Sequence, residues 1–473
     1  MKLFRPFLLI LCFALTIQAQ ASLLAITHVT VVDMTGAPAR QDMTVIVANS
    51  RIISIGKKVR VPESAKVIDG TGKFLIPGLW DMHVHFKEVE RTFPMFIANG
   101  VTGVRNVGGD LDQLVKWRSE VASGRLTGPR IVTCGPILDG PNPSAHGSLL
   151  TIADAKEGRA AVDLLKSKGA DCIKVYDQLT RDAYFEIIKE AKRVGLPVVG
   201  HVPLALTADE AANAGQRSIE HLGNVFESAT SIRAQLIAED ARAGPVKDPS
   251  EYPRRIAARG ERMLSTYDEK LAQLIFKSYV RNHTWQVPTL ETKWSLAFFD
   301  ELVGKDDARL KYIPASELEY WTPQKNFFAR YRTPEYIVYR KKLYQKELDL
   351  VRDMHRAGVM FMTGTDLSGA YVFAGFSVHH EMELLVQAGL SPYEALQAAT
   401  RNPALFLRES KDWGTIEKGK LANLVILSAN PLEDIRNSQK IDGVVLNGRY
   451  LPKSELQSML VKAESIANRT LNH

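Results

Sequence analysis

The hydrophobic pattern changes character twice along the chain. Residues 23–69 carry short runs rich in valine and isoleucine, LAITHVTVVD, MTVIVANSRIISIG and KVIDGTG, broken by glycine, asparagine and aspartate. Runs of this length between turn formers read as a small antiparallel sheet. Residues 414–452 repeat the pattern in GTIEKGKLANLVILSANP and IDGVVLNGRYL. Between these ends the unit is a short buried strand, a polar loop, then an amphipathic helix such as ADAKEGRAAVDLLKSKG or RDAYFEIIKEAKRVG. The candidate strands are LIPGLWDMHVHF, VTGVRNV, PRIVTCG, DCIKVYD, LPVVGHV, RSIEHL, TWQVPTL and VMFMTGTD. Strands alternating with helices predict an α/β fold, and eight of them favour a closed (β/α)8 TIM barrel. No Gly-rich dinucleotide fingerprint follows the first strand, which counts against an open doubly wound sheet.

The two β-rich ends are expected to meet as one small β-sandwich domain. The chain then divides into a signal peptide (1–21), the first part of the sandwich (22–76), the barrel (77–412), the second part of the sandwich (413–455) and a tail (456–473). Two insertions, 225–283 and 295–350, fall after the sixth and seventh strands, where loops overhang the active-site face of such a barrel. The second brings aromatics, among them Trp294, Phe298, Phe299, Tyr320, Trp321, Phe327 and Phe328. They read either as a lid over a partly apolar substrate or as helices packing on each other or on a second subunit.

Composition narrows the class. With 45% hydrophobic and 24% charged residues the chain is ordinary for a globular protein, so disorder is not expected. Lys2 and Arg5, the apolar stretch Phe7 to Ile17, and Ala19-Gln20-Ala21 before Ser22 form a secretory signal peptide, too short to span a bilayer comfortably. The mature protein is expected to be secreted or periplasmic, with no membrane partner. Its charge falls from +7 to 7 − 2 = +5, with both signs mixed and no basic block, so no nucleic-acid partner is expected. Cleavage leaves Cys134 and Cys172, both in strand-like apolar runs, and two buried free thiols are expected.

The chemistry-bearing residues share one position. His83 and His85 are two apart on a strand, hence on one face, at the strand's C-terminal end where barrel enzymes keep their sites. Two imidazoles converging from one strand suit a borderline divalent metal such as zinc. His201 ends LPVVGHV, His221 ends RSIEHL, Asp366 ends VMFMTGTD, and Lys174 lies near the end of DCIKVY. A lone histidine is usually structural, but four histidines and an acid at the same end of four strands are hard to explain so. A lysine inside an apolar strand needs a charged partner or a depressed pKa.

This set resembles the amidohydrolase superfamily, and within it the imidazolonepropionase-like and prolidase-like dipeptidase branch. The segments IPGLWDMHVH, IKVY, VVGHV, GQRSIEHLG, TGTD, SPYEALQAATRNPA and GTIEKGKLANLVIL carry the resemblance, in order, across residues 23–452. The resemblance implies two divalent metal ions, zinc preferred, one held by His83, His85 and Asp366 and the other by His201 and His221. It further implies that Lys174 is carboxylated on its amine and bridges them. A bridging hydroxide would attack a carbonyl, with Asp366 as proton shuttle. His146, in the loop PSAHG, is a candidate donor to the substrate and the developing oxyanion, with an ordinary loop residue as the alternative.

Tyr176, two residues past Lys174, is the candidate pocket residue. Arg217, at the start of the sixth strand, is a lesser candidate for gripping a substrate carboxylate, with a structural ion pair as the preferred reading. His379 matches a histidine common in the branch but receives no role, and with His380 it opens the last barrel helix. His28, His283, His355 and His473 read as structural or solvated. The expected substrate is a small molecule with an amide bond: a dipeptide, an N-acyl amino acid or a cyclic amide. Ester, lactone or organophosphate hydrolysis is the alternative on the same site. Deamination is disfavoured by Lys174, and a noncatalytic binding protein by the intact ligand set. A homo-oligomer is left open.

Overall fold

A computed structural model describes residues 23–144, 147–243, 248–326, 329–367 and 369–469. The expected signal peptide, His146, Phe327, Phe328 and His473 lie outside the described residues.

Strands from both ends of the chain join in one mixed sheet. Leu23–Val31, Arg40–Ala48 and Arg51–Gly56 pair antiparallel. Lys66–Asp69 and Phe74–Pro77 pair parallel to the first of them, which the sequence pattern did not anticipate. Leu424–Leu427 then docks antiparallel on Phe74–Pro77, and the hairpin Ile441–Leu446 and Arg449–Pro452 completes the sheet. One face buries Ile26, Val29, Val45, Leu75, Ile416 and Ile426 as a separate apolar core.

The middle of the chain supplies parallel strands. Leu79–Val84, Val101–Asn106 and Arg130–Thr133 form one sheet. Ile173–Val175, Val198–Gly200, Ser218–Glu220 and Trp285–Val287 run side by side in another. Hydrogen bonds pass between the two sheets on both sides. On one side, Asp171 N–H donates to Thr133 O (2.8 Å). On the other, residues 360–367 bridge Gln286 to the first strand, with Met362 N–H on Gln286 O (2.9 Å), Met82 N–H on Thr363 O (2.9 Å) and Asp366 N–H on His83 O (2.8 Å).

The expected eighth strand is not a regular one. It makes single parallel bridges at Phe361 and Leu367, and Asp366 between them is left-handed at φ 57°. Gly364 lies so close to His83 that a Cβ would come within 2.8 Å of the histidine's own. The helices follow the amphipathic segments: Ala155–Ser167 and Arg181–Val194 start on Asp154 and Thr180, whose side chains accept from backbone N–H groups three residues on.

The expectation of free thiols is corrected: Cys134 and Cys172 form a disulfide across 38 residues. Their strands are neighbours, held by the Thr133–Asp171 contacts, which brings the two Cα atoms within 4.4 Å. That adjacency is a property of how the two sheets meet and is invisible in either local run.

Both insertions are helical, in Arg233–Ala243, Tyr252–Ser265, Glu269–Asn282 and Pro334–Arg356 among others. Phe299 and Trp321 are buried with Tyr371 and Phe373 in a cluster of their own, so these aromatics pack on each other. Tyr320 is exposed. Among the described residues, no helix is long and apolar enough to cross a membrane.

Candidate active site

Six residues predicted from strand ends converge. His83 lies in Leu79–Val84, with His85 just after it; their Nε2 atoms are 3.3 Å apart, and each is 3.5 Å from Asp366 Oδ1. The ligand atoms of this trio all lie within 4.8 Å of one another. His221 stands with its ring centroid 4.6 Å from that of His83 and 4.8 Å from that of His201. Lys174 is buried beside them, its Nζ without a hydrogen-bond partner among the described residues.

The hydrogen bonds around the rings define their tautomers. His83 Nδ1 meets Glu220 Oε2 (2.9 Å), His85 Nδ1 the Gly108 carbonyl (3.4 Å) and His201 Nδ1 Asp177 Oδ1 (2.9 Å). His221 Nδ1 meets Thr289 Oγ1 (2.7 Å), whose own proton goes to Pro288 O (2.8 Å), so the imidazole is the donor there as well. Each ring thus donates through Nδ1 and turns an unprotonated Nε2 outward. Burial holds His83 and His221 well below the usual histidine range, and neighbouring cationic groups act in the same direction. Lone pairs of His83 and His85 facing each other and a carboxylate at 3.3–3.5 Å repel, and a divalent cation between them removes the repulsion. The donor set fits a metal.

Lys174 fits the same purpose. Burial pushes its amine down to about 8, against the pull of Glu220 and Asp366. A neutral amine is then accessible near physiological pH, and only that form can be carboxylated. Gly200, at φ 122°, presses on this strand: a Cβ there would come 2.3 Å from the Val175 carbonyl oxygen and 2.8 Å from Lys174 Cδ.

The sequence reading missed the residues that hold the ligands. Glu220 is fully buried and accepts from His83, from Arg105 Nη2 (2.9 Å) and from Ser218 Oγ (2.6 Å). Arg105, also fully buried, donates through Nε to Met82 O (2.6 Å). Asp81 accepts from His83 N–H (3.2 Å), Thr365 N–H (3.0 Å) and the Thr365 hydroxyl (2.6 Å), fastening the two strands that carry the trio. Burial raises its carboxyl to about 7. The signal for Asp81 was present, two residues before His83 and on its face. Glu220 was hidden because strand alternation opposes it to His221. A left-handed turn at His221 (φ 60°) and Leu222 (φ 56°) brings both to the site.

Of the lesser candidates, Tyr176 stacks on His201 with centroids 3.8 Å apart, and burial raises its phenol so that it stays protonated. The ion-pair reading of Arg217 is corrected: among the described residues it has no carboxylate partner and donates to the His283 carbonyl (3.0 Å). His379 is buried between Ser438 Oγ (2.9 Å) and Asn99 O (3.0 Å), and burial lowers it to about 4. His380 pairs with buried Glu291.

Residues 74–451 match the Amidohydrolase family. The chain belongs to the amidohydrolase family. This amidohydrolase is 21% identical to an ochratoxinase of Aspergillus niger over 451 residues, covering 86% of this chain and 81% of that one. It is 24% identical to a dihydroorotase of Citrifermentans bemidjiense over 197 residues, 38% of this chain and 43% of the relative. The match therefore spans less than half the length of the dihydroorotase. Among solved structures, a Xaa-Pro dipeptidase with bound methionine shares the fold at a TM-score of 0.67 and 21% identity, over 91% of this chain and 100% of that one.

Proposed function

We propose that this amidohydrolase is an exported, binuclear metal-dependent enzyme that cleaves the C–N bond of dipeptides, N-acyl amino acids or related small amides. The observation that carries the reading is the meeting of His83 Nε2 and His85 Nε2 on Asp366 Oδ1, with the rings of His221 and His201 beside them and a Lys174 amine that has no hydrogen-bond partner among the described residues. His83, His85 and Asp366 would hold one ion and His201 and His221 the other. Lys174, its amine carboxylated by carbon dioxide with loss of a proton, would bridge them. Bound divalent ions lower the pKa of water and polarise a carbonyl. Asp366 takes up the water's proton and returns it to the leaving amine. The protonated Tyr176 hydroxyl donates to the substrate, and His146 is assigned to the developing oxyanion.

The scaffold is inferred to be a closed (β/α)8 barrel, supported by the bonds at Thr133–Asp171 and along residues 360–367, with the mixed sheet of both ends as its β-sandwich companion. A dipeptide and N-acyl amino acid library, read for amine release by zinc-loaded protein with Lys174→Ala as control, tests the activity. Release that collapses in the control is expected. No release from fully metallated protein excludes the amidase and dipeptidase readings and turns the search to lactones, esters and phosphotriesters.

Export rests on residues 1–21 and is supported by the Cys134–Cys172 disulfide, a bond that persists in oxidising compartments. The expected mature N-terminus is Ser22 by sequencing of the exported protein; a chain that retains Met1 in the cytoplasm refutes export.

A further inference from the structure

A cavity of about 1310 Å³ lies at the opposite end of the parallel strands from the histidines. Arg130, which begins Arg130–Thr133, and Arg217, just before Ser218–Glu220, stand on its wall with Arg118, Lys166, Lys192 and Arg408. These cations meet two lining carboxylates, and both are taken: Asp171 by Arg118 (2.5 Å) and Glu409 by Arg130 (2.6 Å). Lys166 and Lys192 occupy the last turns of Ala155–Ser167 and Arg181–Val194, where the negative end of the helix dipole accounts for them.

Arg217 and Arg408 have no such account. Among the described residues neither has a carboxylate partner. Arg217 is half-buried, its guanidinium 6.0 Å from the Phe406 ring, and Arg408 follows helix Arg401–Phe406 in a left-handed conformation at φ 61°. Burial pushes the Arg217 guanidinium below the usual arginine range, and Arg408 pushes it the same way. Two like charges facing one cavity repel, and an oxyanion between them offsets that repulsion, with guanidinium forks suited to bidentate contact. Phe406, Leu421 and Leu446 supply apolar wall, and Asn423, whose Oδ1 accepts from Asn447 N–H (2.7 Å), keeps its amide N–H groups as donors.

We propose that this cavity is a second ligand site, distinct from the hydrolytic one, that binds a small phosphorylated or carboxylated organic molecule between Arg217 and Arg408. The anion contacts the two guanidiniums, and the carbon body lies against Phe406 and Leu421.

Isothermal titration of the full protein with inorganic phosphate and with succinate, at ionic strength fixed by chloride, tests it. Saturable binding of at least one probe to the wild type is expected, with affinity about tenfold or more weaker in Arg408→Ala, since loss of a charge-assisted pair is worth that much. Arg408 is exposed, so this variant leaves the fold intact. Arg217→Lys, which keeps the charge and loses the fork, is expected to weaken binding as well. Phosphate alone identifies a phosphorylated ligand, and succinate alone a carboxylate. Binding undiminished in both variants comes from elsewhere, including the metal site, and overturns the proposal. So does the absence of saturable binding by either probe.

Discussion

Lys174→Met is expected to lower turnover on the best amide substrate by about a thousandfold, the effect of losing several kcal/mol of metal-based stabilisation. Bound zinc should fall from two ions per chain towards one, read by elemental analysis. Methionine keeps the aliphatic stem that packs in strand Ile173–Val175, so little cavity is created. What is removed is a buried amine with no hydrogen-bond partner among the described residues. An unpaired buried polar group is destabilising, and its removal should leave the metal-stripped protein as stable as the wild type or more so. This split between readouts is the test. A lysine with only a structural role would lower the melting temperature and spare metal content. A variant that keeps both ions and full turnover would eliminate Lys174 from the site.

Glu220→Gln is expected to damage both stability and metal binding. The Glu220 carboxylate accepts from Arg105, Ser218 and His83 without any exposure to water. A glutamine offers one accepting oxygen and an NH2 that only donates, so either Arg105 or His83 would face an N–H group. Arg105 is left as a buried charge without its counterion, which costs about 3–5 kcal/mol. His83 loses the carboxylate that fixes its tautomer, and zinc affinity should fall about 10- to 100-fold. Unfolding midpoints of stripped and zinc-loaded protein separate the two effects. The double variant Arg105→Met/Glu220→Met should recover stability relative to Glu220→Gln while still binding zinc weakly. Unchanged midpoint and unchanged zinc affinity in Glu220→Gln would mean the network holds nothing in place.

His83, His85, Lys174, His201, His221 and Asp366 could be read from the chain because each depends on local pattern. Apolar runs with period two mark strands, and a polar residue where such a run ends marks the catalytic face of a barrel. Burial and alternation are local consequences of sequence, and so are the helices between strands, whose caps and apolar faces lie within a few residues of each other.

Glu220, Arg105 and the Cys134–Cys172 bond could not be read this way. Glu220 meets His83 across 137 residues and Arg105 across 115, and nothing near any of them names its partner. Strand alternation even misdirects, since it opposes Glu220 to His221 until the left-handed turn is known. Arg217 failed for the converse reason: an arginine beginning a buried strand implies an ion pair, yet the fold brings it Arg408 and Phe406 instead of an acid. The sequence by itself thus determined most of the strands and helices, the irregular segment before Asp366 excepted, and which end of them bears the chemistry. The tertiary structure alone decided which side chains support one another, because hydrogen bonds and charge pairs depend on the register between strands distant in sequence, and no local periodicity carries that register.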